Sequence, residues 1–234
     1  MKNKNKIKIY ADGAEIKSIK KFNKSKLIKG FTTNPSLMKD NKINDYTTFA
    51  KKILRIVRKK SISFEIFADD QKTIISQAEK INSWGKNIFV KVPYYNSKGK
   101  DNLKIIKILS NKKIKLNITA IFEFKQIIKI LNIINKNNKI IFSIFAGRIA
   151  DTGIDPSKII LKSVKATQKY KNIEILWASC RELYSIKEAE RLGCHIITVP
   201  KSILSKMHLF NKNLKKYSVE TSKQFFEDSK NINF

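Results

Sequence analysis

Cysteine, proline, glycine, arginine and acidic residues are all scarce in this chain. Only two cysteines, Cys180 and Cys194, occur in 234 residues, too few for a disulfide framework and in keeping with a reducing compartment. Seven glycines and four prolines exclude collagen-like and linker-like sequences. No apolar run approaches the roughly 18 residues that a membrane helix needs; the best candidate, residues 140–147, is far too short. The basic start MKNKNKIKIYADG has no apolar segment or small-residue cleavage site and does not read as a secretory signal. The expectation is a cytoplasmic protein with no membrane partner. Only two histidines, His195 and His208, are present. No cluster of His, Cys and carboxylate stands at metal-ligand spacing, so no metal is expected.

The shortage of acids, 19 against 49 Lys plus Arg, produces a formal charge of +30 and a pI near 10.1. Such a charge invites a nucleic-acid reading, because clustered cations neutralise phosphates. Yet only Arg55, Arg58, Arg148, Arg181 and Arg191 are arginines, and the lysines are scattered through every segment. Base readout and stacking favour the planar Arg fork, and no basic stripe interleaved with aromatics occurs. The charge therefore reads as a Lys, Ile and Asn bias of composition, with no nucleic-acid partner expected. With 42% hydrophobic and 10% aromatic residues the chain can still bury a substantial core, so it falls outside the disordered class.

What organises the chain is a series of short β-branched or aromatic runs: 7–12, 28–34, 61–67, 87–93, 115–122, 139–145, 173–179 and 195–200. Helical patterns lie between them, as in Ile74, Ala78 and Ile81, or Ile127, Leu131 and Ile134. Asp155 before Pro156 reads as a helix N-cap, and Gly193 as the stop of a helix beginning near Glu182. Near-continuous apolar strands alternating with helices imply a parallel sheet covered on both faces. Eight such units predict a single (β/α)8 TIM barrel over 1–234. An open doubly wound sheet is the competing architecture, but ADGAEIK has one Gly where a phosphate-binding turn needs three. Residues 217–234 read as one further amphipathic helix, which would cap an end of the barrel or contact another subunit.

Barrel chemistry concentrates at the carboxyl ends of the strands, and the unusual polar residues fall there. They are Asp12, Asn34 after Thr32 and Thr33, Glu65, Lys91, Asn117 with Thr119, Ser143, and Ser179. Arg148 and Arg181 follow the sixth and seventh runs, where a planar fork suits a phosphate or carboxylate. Each has an ordinary reading beside the functional one. Asp12 could cap the next helix, Asn34 with Pro35 is a common turn pair, Thr119 suits a strand, and Ser143 could be a small core residue. Lys91 could lie on a frayed edge. Glu65 among Phe64, Ile66 and Phe67 is harder to dismiss, since a lone buried carboxylate is costly. Arg55, Arg58 and Arg191 suit ion pairing on helix faces. A lysine in an apolar strand among other cations would have a lowered pKa and a nucleophilic amine. With carboxylates nearby for proton transfer, the pattern points to a Schiff base.

The segments IKGFTTNPSLM, NIFVKVP, LNITAIF, SIFAGRIADTG and ASCREL, in this order, resemble the transaldolase family, the class I Schiff-base aldolases that include fructose-6-phosphate aldolases. The resemblance, with YADGAE and the tail FFEDS, implies a barrel enzyme needing no external cofactor. It transfers dihydroxyacetone between sugar phosphates in carbohydrate metabolism, in the pentose phosphate pathway. It places Lys91 as the Schiff-base lysine, Asp12 as the group that takes and returns the proton of the substrate's carbon-4 hydroxyl, and Glu65 as a carboxylate assisting dehydration through a water held by Thr119. Asn34, Asn117 and Ser143 would contact the dihydroxyacetone moiety, and Arg148, Ser179 and Arg181 would cradle the phosphate. Glu65 and Phe145, where simple aldolases of the family carry Gln and Tyr, resemble the transferases. YADGAE, Tyr94 and Tyr95 after Pro93, and Cys180 depart from the family pattern. A homo-oligomer is expected.

Overall fold

A computed structural model describes residues 6–233. Eight parallel strands close on themselves in sequence order: β1 (Lys8–Asp12), β2 (Ile28–Thr32), β3 (Ser61–Glu65), β4 (Ile88–Pro93), β5 (Leu116–Ile121), β6 (Ile140–Ile144), β7 (Ile173–Trp177) and β8 (Ile196–Pro200). Closure is made by β1 against β8, from Lys8 opposite Ile196 to Asp12 opposite Pro200. The open doubly wound alternative is therefore excluded.

Strand side chains alternate between two apolar environments. One set, including Ile62, Phe64, Val90, Val92, Leu116 and Ile118, packs outward against the helices in the main core. Helix residues such as Ile74, Ala78, Ile81 and Ile127 meet them there, as their spacing predicts. The other set faces the lumen, where Tyr10, Phe89, Ile141, Leu176, Ala178 and Ile196 form a separate buried cluster. That cluster fills the middle of the barrel, as packed side-chain layers do in this architecture.

Local signals hold with small shifts. The N-cap of the helix Ser157–Thr167 is Pro156 and not Asp155, which stands two residues before the helix and accepts from the Ser157 N–H at 2.8 Å. The helix before Gly193 begins at Ser185 rather than near Glu182. Gly193 adopts φ +84°, the Gly193 N–H donates to the Glu190 carbonyl, and the Cys194 N–H donates to the Ala189 carbonyl. This is a Schellman termination, and it calls for the left-handed conformation that glycine takes freely. The tail forms a helix over Leu214–Ser229 with no buried residue, so it does not cap the barrel. Leu214, Val219, Phe225 and Phe226 are exposed. No helix among the described residues is long and apolar enough to cross a membrane. Arg55, Arg58 and Arg191 form none of the salt bridges found among the described residues, and Arg58 Nε donates instead to the Arg55 carbonyl at 3.1 Å.

Gly30 lies beneath the Tyr10 ring, where an added Cβ would sit 2.5 to 2.7 Å from three ring carbons. The ring is held there by a hydrogen bond from Ser61 Oγ to its hydroxyl, at 2.7 Å. Gly30→Ala is therefore expected to cost about 1–3 kcal/mol by overpacking the lumen, measured by urea denaturation. An unchanged midpoint would mean that the ring swings aside freely.

Candidate active site

Most lumen-facing positions nearest the carboxyl ends of the strands are polar, β7 with Leu176 and Ala178 being an exception. Register explains how they meet: Glu65 on β3 stands opposite Lys91 on β4, and Lys91 opposite Asn117 on β5. All three side chains therefore point into the barrel at one level. Lys91 Nζ lies 3.0 Å from Glu65 Oε2, with both side chains largely buried. The amine also donates to the Thr33 carbonyl at 3.2 Å. Lys91 thus lies on a central strand of a closed sheet and not on a frayed edge, and the nearest charged group to its amine is a carboxylate. The expected crowding by cations is replaced by an ion pair, the partner that makes burying Glu65 tolerable.

Asp12 belongs to β1 and does not cap the following helix, whose N-cap position is Glu15. Its Oδ1 accepts from Thr32 Oγ1 at 2.7 Å, and that hydroxyl meets Thr198 Oγ1 at 2.5 Å. Since the Thr32 hydroxyl donates to Asp12, Thr198 donates to Thr32. Burial raises the Asp12 pKa above the ordinary aspartate range, while the Lys91 charge and the Thr32 hydrogen bond pull it partly back.

A second chain runs across the floor. Ser143 Oγ donates to Asn117 Oδ1 at 2.6 Å, and Asn117 Nδ2 donates to Ser63 Oγ at 3.0 Å. Thr119 Oγ1 is buried and, among the described residues, has no hydrogen-bond partner. It faces a cavity of about 230 Å³ that Asp12, Asn34, Lys91, Ser143, Ser179 and Cys180 also line. Asn34 has a double position: it lines this cavity and its Oδ1 caps the helix Pro35–Asp40 by accepting from the Leu37 N–H at 2.9 Å. Glu65 and Asn117 are not on the cavity wall; they reach it through Lys91 and Ser143.

The arginines form the outer rim. Gly147 precedes Arg148, and a Cβ on it would lie 1.6 Å from the Ser179 carbonyl oxygen. Only glycine allows this approach, which draws the loops after β6 and β7 together and sets Arg148 and Arg181 on the same cavity. Ser179 itself adopts φ +63°, a strained value for a residue with a Cβ. Arg148 lies over the Phe145 ring, 5.2 Å from its centroid. Arg181 directs Nε and Nη2 to the two carboxylate oxygens of Asp151, so its fork has a protein partner already.

Sequence reasoning missed Thr198, Ser63 and Asp151. The alternation Ser61, Ser63, Glu65 marks Ser63 as lumen-facing, and Thr198 could have been found the same way from Ile196. Nothing local marks Asp151. His195 Nδ1 accepts from the Ile175 N–H at 3.0 Å, well placed for a structural role.

The raised Asp12 pKa has a signed consequence. The fold favours the protonated carboxyl, so the contribution of Asp12 to stability is greatest below its unfolded pKa and is lost as pH rises through the folded value. Asp12→Asn, which keeps the acceptor for Thr32, is expected to stabilise the protein at pH 7 and to lose that advantage below about pH 4. Urea melts at the two pH values check it; a gain that grows on acidification would contradict the sign.

Known proteins resemble this chain along most of its length. The family described as transaldolase/fructose-6-phosphate aldolase matches residues 9–234. A probable transaldolase of Nitrosopumilus maritimus is 34% identical over 203 residues, covering 86% of this chain and 87% of that one. One of Methanococcus vannielii is 32% identical over 215 residues, covering 92% and 94%. Among solved structures, a 2,3-dimethylmalate lyase superposes with TM-score 0.62 at 11% identity over 98% of this chain and 84% of its own. A flavocytochrome b2 mutant does so with TM-score 0.56 at 13% identity, over 84% and 57%; at these identities the likeness concerns the barrel alone. The family match runs from the first strand through all those that carry the lysine, its carboxylate and the two arginine loops, and the chain belongs to the transaldolase/fructose-6-phosphate aldolase family.

Proposed function

We propose that the protein is a cytoplasmic transaldolase that moves a dihydroxyacetone unit between sugar phosphates through a Schiff base on Lys91, as in the pentose phosphate pathway, with residues 1–234 as one domain. The observation that carries this reading is the buried amine of Lys91, 3.0 Å from Glu65 in a cavity shared with Asp12. A proton leaving the ammonium has Glu65 as an immediate acceptor, and the neutral amine can then attack the substrate ketone. The resulting carbinolamine loses its hydroxyl as water to form the iminium. Glu65 assists through a water on Thr119, whose hydroxyl has no other partner among the described residues.

Asp12 then takes the proton of the carbon-4 hydroxyl. The bond between carbons 3 and 4 breaks, its electron pair flows into the iminium, and an enamine remains as the aldose phosphate departs. Asp12 returns the proton when an acceptor aldehyde is attacked. A carboxyl whose pKa is raised by burial suits this two-way traffic. Ser143 and Asn117, tied by their 2.6 Å hydrogen bond, and Asn34 orient the dihydroxyacetone hydroxyls. Arg148, Arg181 and the Ser179 loop hold the phosphate, for which Arg181 must share its fork with Asp151. No external cofactor enters this scheme. The uncovered apolar side chains of the helix Leu214–Ser229 favour a homo-oligomer.

Incubation with fructose 6-phosphate and borohydride is expected to leave a reduced adduct on the Lys91 peptide, detected by mass spectrometry. Lys91→Met should abolish the adduct and lower turnover at least about 10³-fold. An unmodified peptide, or a fully active Lys91→Met protein, would end the Schiff-base reading. With erythrose 4-phosphate as acceptor, transfer should outpace release of free dihydroxyacetone; the reverse would make the enzyme an aldolase. Arg181→Gln should raise KM for a phosphorylated acceptor about tenfold or more while sparing its unphosphorylated counterpart. Equal effects on both acceptors would remove Arg181 from the phosphate site.

A further inference from the structure

The opposite mouth of the barrel has a composition that the proposed reaction does not use. A cavity of about 540 Å³ opens there, and half of its twelve lining residues are lysines. Along the whole chain fewer than one residue in five is Lys, so the bias of composition alone does not account for the cluster. Lys8 begins β1, and Lys59, Lys86, Lys115, Lys139 and Lys171 each lie one or two residues before the strands β3 to β7. Six strands thus deliver a cation apiece to one rim. The single carboxylate on the lining, Glu174, is paired with Lys8 at 2.6 Å. Among the described residues none of the other five lysines has a carboxylate partner.

The floor is defined as well as the rim. Tyr10 and Phe89 are buried beneath it and belong to the apolar plug that separates this mouth from the Lys91 site. Lys115 lies partly buried, its amine donating to the Lys86 carbonyl and standing 5.9 Å from the Phe89 ring centroid. Burial and the nearby Lys139 both lower the Lys115 pKa. Cations converging on a concave, partly desolvated surface focus the field and attract a counter-charge of matching density.

We propose that the N-terminal mouth of the barrel, ringed by Lys8, Lys59, Lys86, Lys115, Lys139 and Lys171, is a binding site for a compact polyphosphate anion. Tyr10 and Phe89 reach the lining but are at most 8% exposed, too little for a nucleobase to stack on, so the wall offers mainly cations, Ser61, Asn87 and Asn172. Recognition therefore falls on the phosphate chain, whether free or carried by a nucleotide. A single phosphate engages too few of the lysines to bind comparably.

Calorimetry with tripolyphosphate, ATP and inorganic monophosphate on the full-length protein tests this. Tripolyphosphate and ATP should bind with similar affinity that falls as salt is raised, and monophosphate at least about tenfold more weakly. Lys115→Gln/Lys139→Gln should weaken tripolyphosphate binding about tenfold or more while leaving the far-UV spectrum and turnover unchanged. Lys91→Met should bind it as the wild type does, which separates this site from the reaction site. Replacing the outer-surface lysines Lys72, Lys104 and Lys129 by Gln should have little effect. The proposal is overturned if that triple variant loses as much affinity as the rim variant, if the rim variant binds normally, or if monophosphate binds equally well. ATP binding more than tenfold tighter than tripolyphosphate would show that the base is read, and would overturn the assignment to the phosphate chain.

Discussion

A buried ion pair inside a closed sheet is the constraint around which this molecule is arranged. Lys91 and Glu65 are direct register partners on adjacent parallel strands, with 3.0 Å between their charged atoms. Stranding either charge alone in the lumen would cost about 3–5 kcal/mol. A one-residue slip between β3 and β4 would turn one of the two side chains toward the helices and break the pair. Correct pairing of the sheet and assembly of the site are therefore one event.

The same alternation divides the lumen along its length. Polar side chains occupy the carboxyl end, an apolar cluster of Tyr10, Phe89, Ile141, Leu176 and Ile196 fills the middle, and lysines crowd the amino end. The plug does two things: it supplies the packing that a closed barrel needs, and it isolates two electrostatic environments that would otherwise share solvent. Carboxylates temper the cations at one end, whereas at the other they are nearly absent.

Several features were visible in the sequence for physical reasons that survive folding. Strand and helix periods are local, so the eight runs and the patterns between them marked the barrel. Glu65 and Lys91 stood out because neither charge belongs in an apolar strand without a partner. Local signals misled where a residue had two options. Asp12 resembles a helix cap, yet its side chain turns inward to Thr32. The tail has the pattern of a covering helix, yet none of its side chains is buried against the described residues.

By itself the sequence determined the element order, the parallel barrel and most of the polar residues at its carboxyl end, because each follows from period, spacing and the cost of burying charge; Ser63, Thr198 and Asp151 were not among them. Only the tertiary structure decided which of those residues touch. Register, and not sequence distance, sets Lys91 beside Glu65. The approach of Gly147 to the Ser179 carbonyl brings two arginine loops together, and Asp151 reaches Arg181 across thirty residues of chain. The lysines show the difference most plainly: in a chain so rich in them no single one carries information, and only closure of the sheet gathers six at one mouth.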